Sequence, residues 1–221
     1  TAPNTRNPPW ADWLRPWALV CPRWSAKTDS MRADALHRRT AIIAAACQLF
    51  RSHGDNVALD KVAAQAGVSV ATVYRNFPNR ASLIRACAEY MGDAFARFQQ
   101  RLIADFEDPK HSGNDYVRAY ATHILTMELN TLIPAFIPQD LDSLSPELTA
   151  QRDLLESNGR RFIELGQQHG EIGPGVTHLE FIVGLLSLAR PREVDVEAYQ
   201  PDLQEMIIDL YLAGIKRGHR A

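Results

Sequence analysis

The sequence predicts an all-α protein: an N-terminal three-helix head built on a helix-turn-helix, joined by one long helix to a larger helical body, about nine helices in all. Three observations predict it. Apolar residues recur at helical spacing through most of the chain, and no run alternates at the period of two that a half-buried strand requires. Residues that start helices (Ser69, Ser145-Pro146, Thr177) and stop them (Gly54, Gly67, Gly170) stand at the ends of those runs. Between Leu59 and Phe77, a small residue, a glycine and a branched residue are spaced as two short helices crossing through a tight turn would need.

Residues 1–30 stand apart from this pattern. They hold Trp10, Trp13, Trp17 and Trp24, all the tryptophans of the chain, and Pro3, Pro8, Pro9, Pro16 and Pro22. Proline at that density prevents regular helix. Met31 then opens the first helical pattern and suits a start of translation. The stretch reads either as an irregular tail or as an arm. As an arm it would send Arg6, Arg15 and Arg23 to a DNA minor groove, or pack its tryptophans on the body.

From about Arg32 to Ser52, the residues Leu36, Ile42, Ile43, Ala46, Leu49 and Phe50 follow helical spacing until His53-Gly54 stops it. A short helix from about Leu59 to Ala66 breaks at Gly67. Ser69 caps another that runs to about Asn76, where Phe77-Pro78-Asn79 interrupts. A long helix follows, from near Arg80 to about Asp105. After Pro109 the pattern resumes from roughly Asn114 to Leu132, and Pro134 and Pro138 break it. Ser145 and Pro146 are an N-cap and first-position pair for a helix to about His169, followed by a turn from Gly170 to Gly175. Thr177 and Glu180 form a capping box for an apolar helix through Phe181, Ile182, Leu185, Leu186 and Leu188, which Pro191 ends. The last helix covers about Pro201 to Lys216. The expected domains are therefore an irregular arm or tail (1–30), the head (31–85) and the body (86–221).

Composition excludes several classes. With 46% hydrophobic and 23% charged residues in 221, the chain is an ordinary globular protein large enough for one big core or a small domain beside a larger one. Cys21, Cys47 and Cys87 are odd in number and lack a pairing motif, as reduced thiols in a cytosol would be. No apolar run approaches the ~18 residues of a membrane span, and the first thirty lack a signal-peptide core. The expectation is a cytoplasmic protein with no membrane partner. The seven histidines show no ligand spacing with Cys, Asp or Glu, so neither a metal nor another cofactor is expected. No nucleophile elbow or glycine-rich phosphate loop is present, and the expectation is not an enzyme.

Charge is unevenly spread. Met31 to Arg85 holds eight Lys/Arg against three acids, whereas Ala86 to the end holds twelve against twenty-one. A basic head on an acidic body suits a polyanion that only the head meets. Within that head lies the informative segment. Ala63 is small where two helices press together, Gly67 can turn the chain left-handed, and Val73 anchors the second helix, with Val62, Ala66 and Val68 completing the inner face. Spacing alone leaves two readings, a helical corner within a core or a helix offered to a major groove. The outward residue types favour the groove. Val70, Ala71, Thr72, Tyr74, Arg75 and Asn76 are small, hydroxyl-bearing or polar, suited to thymine methyls, phosphates and base edges.

The run from Thr40 to Leu83 resembles the DNA-binding domain of the TetR family of transcriptional regulators. It carries that family's A-x-x-L-F-x-x-x-G as Ala46 to Gly54, its I-A-x-x-A-G-V-S as Val62 to Ser69, and its T-[VL]-Y-x-x-F-x-[NS]-[KR] as Thr72 to Arg80. The resemblance implies a regulator of double-stranded operator DNA that works as a homodimer, is usually a repressor and is released by a small-molecule effector, here unknown. It places Thr72 and Tyr74 on phosphates and matches Arg80 to the basic residue that opens the fourth helix and would present to a phosphate. It puts Val70, Ala71, Arg75 and Asn76 on or beside bases, with Ser69 also among the DNA-binding residues. One departure is that Val57-Ala58-Leu59 lacks the hydroxyl that often caps the second helix, which implies a slightly weaker phosphate grip.

The same resemblance implies an effector pocket among the middle helices, for which Phe95, Phe98, Tyr116, Tyr120, His123, Met127 and Phe162 are candidate lining. It also implies a four-helix interface between two copies of the last two helices, with Phe181, Leu185, Leu188, Met206, Leu210 and Tyr211 as candidates. The long helix from Arg80 is the natural lever between pocket and head. The alternative is a DNA-binding regulator or adaptor without an effector, acting through a protein partner on the acidic body.

Overall fold

A computed structural model of the chain describes residues 30–53, 57–108, 110, 112–127, 145–188 and 202–218. The Trp/Pro-rich stretch before residue 30, the stop at Gly54, Pro109, the breaks at Pro134 and Pro138, and Pro191 lie outside them. The described residues form eight helices and no strand: α1 (Ser30–His53), α2 (Leu59–Gln65), α3 (Val70–Asn76), α4 (Arg80–Glu107), α5 (Gly113–Thr126), α6 (Pro146–Gln168), α7 (His178–Leu188) and α8 (Leu203–Lys216). Among these residues no helix is long and apolar enough to cross a membrane.

The caps explain the boundaries. The Ser69 hydroxyl accepts the Thr72 amide at 3.3 Å and opens α3. Ser145 caps α6 through the Leu148 amide at 3.4 Å, with Pro146 in first position. At α7 the capping box closes in both directions: the Glu180 amide donates to Thr177 Oγ1 at 3.2 Å, and the Thr177 amide donates to Glu180 Oε2 at 2.8 Å. Two caps escaped the sequence reading. Ser112 starts α5 by accepting the Asp115 amide, and Asn79 starts α4 by accepting the Ser82 amide at 2.8 Å. As expected, α2 begins without a side-chain cap at Ala58.

The described residues fall into two compact units. One comprises those of 30–93 with 145–151, the other those of 94–127 and 152–218. The division runs through α4 at Asp93, whereas the sequence suggested a boundary at residue 85. In the first unit, Ile42, Ala46, Phe50, Val62, Ala63, Val73, Phe77 and Leu83 are buried together. Val73 is fully sealed, as an anchor must be. Gly67 turns at φ +66°, its amide bonding Ala64 O and the Val68 amide bonding Ala63 O, the paired bonds that end a helix on a left-handed residue. Leu36 departs from its pattern: it is exposed, as are its neighbours from Asp34 to Arg38, and no described residue covers it. Cys47 and Cys87 are buried reduced thiols of this core, and hydrogen bonding to Cys47 together with burial raises the Cys87 pKa far above the ordinary thiol range.

In the second unit, α4 contributes Phe95, Phe98, Leu102 and Phe106, and α5 contributes Tyr116, Tyr120 and Ile124. Phe162 on α6, Phe181 and Leu185 on α7, and Ile208 and Leu212 on α8 complete the core.

Candidate nucleic-acid interface

The α3 helix has one sealed side and one open side. Val73 points inward, and Val70, Ala71, Tyr74 and Arg75 are exposed. Thr72 and Asn76 are half-buried at the margins. Polar side chains along this helix hold one another. Ser69 Oγ lies 2.9 Å from Thr72 Oγ1, Arg75 Nη2 donates to Thr72 Oγ1 at 3.0 Å, and Asn76 Nδ2 donates to the Thr72 carbonyl at 2.8 Å. Asn76 is thus turned back onto its own helix.

Arg39 holds α3 at its C-terminal end and Arg80 holds the segment before α2; the sequence pointed only to Arg80. Arg39 on α1 donates to the Asn76 carbonyl at 3.1 Å, and its guanidinium lies 4.3 Å from the Phe77 ring centroid. A cation there meets the negative end of the α3 dipole. Arg80 donates to the Val57 carbonyl at 2.6 Å and lies 5.3 Å from the Phe50 ring centroid. Its Nη2 is buried without a partner among the described residues. Arg80 therefore uses its guanidinium to tie α4 to the segment before α2. Arg80→Ala is expected to lower stability by about 1–2 kcal/mol, because a charged hydrogen bond and a cation–ring interaction both disappear at a half-buried position. Urea unfolding checks this, and an unchanged midpoint would favour the phosphate role that the resemblance implies.

The candidate pocket residues all lie in the second unit. Phe95, Phe98, Tyr116, Tyr120, Met127 and Phe162 are buried, and His123 is half-buried. The His123 ring stacks on Phe98 with centroids 3.7 Å apart, and Tyr120 stacks on Phe162 at 4.1 Å. Burial, assisted by repulsion from Arg101, holds the His123 pKa down to about 4. The unfolded imidazole binds its proton near 6.5 and the folded one only near 4. Stability present at neutral pH is therefore lost as pH falls through that window. Against His123→Phe, the wild type is expected to lose about 1–2 kcal/mol more between pH 7 and pH 5. Parallel melting curves at the two pH values for both proteins would refute it.

A polar chain crosses this core, and sequence reasoning missed it. Gln99, fully buried on α4, donates from Nε2 to Tyr120 Oη at 2.8 Å and to the Leu155 carbonyl at 3.2 Å. With its oxygen accepting from Gln99, Tyr120 turns its own proton to His178 Nε2 at 3.0 Å. The imidazole proton then sits on Nδ1, 2.8 Å from Glu156 Oε2, a tautomer assigned from this network. Burial, and to a lesser degree Glu156, pushes the Tyr120 pKa well above the ordinary phenol value, against the Gln99 hydrogen bond. Gln99 Oε1 and Asn158 Nδ2 are buried without partners among the described residues.

Of the candidate interface residues, Phe181 and Leu185 are buried inside the protomer and are not available to a second copy. Apolar residues stand on most sides of α7, so the sequence pattern does not mark which of them face inward. Tyr211 is half-buried, its hydroxyl donating to the Phe181 carbonyl at 2.7 Å. Leu188, Met206 and Leu210 are exposed, joined by Leu179 and Val183. Among the described residues no cluster of His, Cys, Asp or Glu could hold a metal ion.

Residues 42–87 match the profile of the bacterial regulatory proteins of the tetR family, and residues 108–217 match that of the C-terminal domain of SbtR-like transcriptional regulators. The nucleoid occlusion factor SlmA of Photobacterium profundum is 32% identical over 74 residues, 33% of this chain. The match spans only 38% of that relative's length. Among solved structures, the regulator LfrR of Mycobacterium smegmatis, in complex with proflavine, superposes with a TM-score of 0.59 at 21% identity, covering 85% of this chain and 99% of that one. A TetR transcription regulatory protein of Mycobacterium vanbaalenii gives 0.58 at 21% identity, over 84% and 98% of the two chains. A TetR regulator of Streptomyces coelicolor gives 0.57 at 24% identity, over 82% and 99%. These structures share the fold.

Proposed function

The chain belongs to the tetR family of bacterial regulatory proteins, which are DNA-binding transcriptional regulators, and we propose that it is a repressor that grips a near-palindromic operator as a homodimer and releases it when a small molecule enters the body. One observation carries the operator reading. The α3 helix is pinned by Val73 and held at its C-terminal end by Arg39, with Val70, Ala71, Tyr74 and Arg75 left open on the outward side. A short helix held that firmly, with small apolar, hydroxyl and guanidinium groups outward, suits a major groove. The basic balance of the surrounding head supplies the attraction to phosphate.

Dimerisation is supported by Leu179, Val183, Leu188, Met206 and Leu210, large apolar residues exposed on α7 and α8. An effector is supported by the aromatic interior around Phe95, Phe98, Tyr120 and Phe162, together with Gln99 Oε1 and Asn158 Nδ2, which have no partner among the described residues. Such atoms favour a partly apolar molecule that carries a hydrogen-bond donor and an acceptor.

The test is fluorescence anisotropy with DNA flanking the protein's own coding region, in competition with random DNA and across a salt series. Salt-sensitive, competitor-resistant binding to one near-palindrome is expected, the affinity falling about 10³-fold or more between 50 and 200 mM salt. Equal binding to random DNA would sink the operator reading. Addition of small molecules to the preformed complex then tests release.

A further inference from the structure

We propose that Arg75 reads a guanine in each operator half-site and that Thr72 is the positioning residue that aims it, an inference that rests on the operator-binding reading above. Arg75 is the only charged residue of α3. It stands in the last turn, away from the N-terminal half that meets base edges when such a helix enters a major groove. The structure removes that objection. A long helical side chain leans back toward the N-terminus, and the Arg75 guanidinium lies beside residue 72, with Nη2 donating to Thr72 Oγ1 at 3.0 Å.

Thr72 is in turn held from the other side by Ser69, oxygen to oxygen at 2.9 Å, and its amide donates to Ser69 Oγ. Ser69, Thr72 and Arg75 follow one another at three-residue spacing, so the three groups form one polar line along the helix. The resemblance implies that the Thr72 hydroxyl binds phosphate. Here that hydroxyl already accepts from Arg75 and pairs with Ser69, which suits it to orienting a guanidinium. The rest of the planar fork can still donate, and guanine alone offers it two acceptors, O6 and N7, in the major groove. An arginine fixed before binding loses less freedom when it docks. Ala71 and Val70 beside it are exposed and small enough to let the helix approach.

The experiment begins with selection of preferred sites from a random double-stranded pool by the full chain. Each guanine of the selected site is then replaced by 7-deazaguanine, which lacks N7, and binding is measured for wild type, Arg75→Ala, Thr72→Ala and Thr72→Ser. In the wild type, one guanine per half-site is expected to weaken binding about tenfold when N7 is removed. That penalty should vanish in Arg75→Ala, shrink in Thr72→Ala and return in Thr72→Ser. A selected site whose 7-deazaguanine penalties are the same with and without Arg75 overturns the proposal and leaves the operator reading standing. Equal losses on operator and random DNA in Thr72→Ala make Thr72 a phosphate contact and also overturn it. If no site is selected, the operator reading falls and takes the proposal with it.

Discussion

If the chain dimerises as proposed, Leu210→Glu is expected to leave it monomeric and weaken binding to a palindromic operator at least about a hundredfold, while the protomer still folds. Leu210 is 68% exposed in the protomer, and Met206, one turn earlier on α8, is 44% exposed. An exposed residue with so little packing to lose changes protomer stability by only about 0.5 kcal/mol either way. A two-fold interface presents the same face twice, so each glutamate would enter an apolar contact built from the exposed residues of α7 and α8, Leu179, Val183 and Leu188 among them. Burying an unpaired charge costs far more than the leucine contributed. Operator affinity follows because two linked heads bind about 10²–10⁴ times more tightly than one. Leu154→Glu is the matched control: Leu154 is 43% exposed and belongs to α6, not to the apolar residues of α7 and α8. Sedimentation of both variants, with anisotropy on the selected operator, decides the matter. A Leu210→Glu protein that still sediments as a dimer and binds at full strength would place the interface elsewhere.

The contrast between α3 and α7 explains how much of this molecule the sequence disclosed. The head was legible because each device there is local. The Gly67 turn, the Ser69 cap and the Val73 anchor act within a few residues, and only certain side chains can perform them. The same holds for the capping box of α7, where Thr177 and Glu180 answer each other across three positions. The inward face of α7 was not legible. Phe181, Ile182, Val183, Leu185 and Leu186 leave no polar stripe to mark the outer side, and the burial of Phe181 beside exposed Val183 is settled by tertiary packing. Arg39 was overlooked for a related reason. A charged residue on a helix reads as solvated, and its contacts with Asn76 and Phe77 are some 37 residues away in sequence. His178, between Thr177 and Glu180 of the capping box, carries no sign of burial in the local sequence, whereas the fold buries it. A signal for that burial did exist on another helix: Gly159 sits in the middle of α6, where glycine weakens a helix by about 1 kcal/mol relative to alanine.

That glycine carries the second large prediction. Gly159→Ala should raise helix propensity, and on that ground alone would stabilise the protein by about 1 kcal/mol. The opposite is expected, a loss of about 2–4 kcal/mol. A Cβ at residue 159 would lie 2.1 Å from Cε1 and Nε2 of His178, far inside contact distance. The ring cannot simply swing aside, because Nε2 is bound to Tyr120 and Nδ1 to Glu156, and the side chain is only 8% exposed. Displacing it strands the Tyr120 hydroxyl, which is fully buried and already held by Gln99. Each buried polar group left unpaired costs about 1–3 kcal/mol, which outweighs the propensity gain. For a protein of this size, the melting temperature should fall by about 5–10 °C. His178→Ala alone should also destabilise, and the double variant separates the causes. If the clash is the mechanism, Gly159→Ala added to His178→Ala costs nothing, or even stabilises, because the space the ring held is open to the new methyl. Additive losses in the double variant would mean that Gly159 serves α6 by some means other than making room for His178.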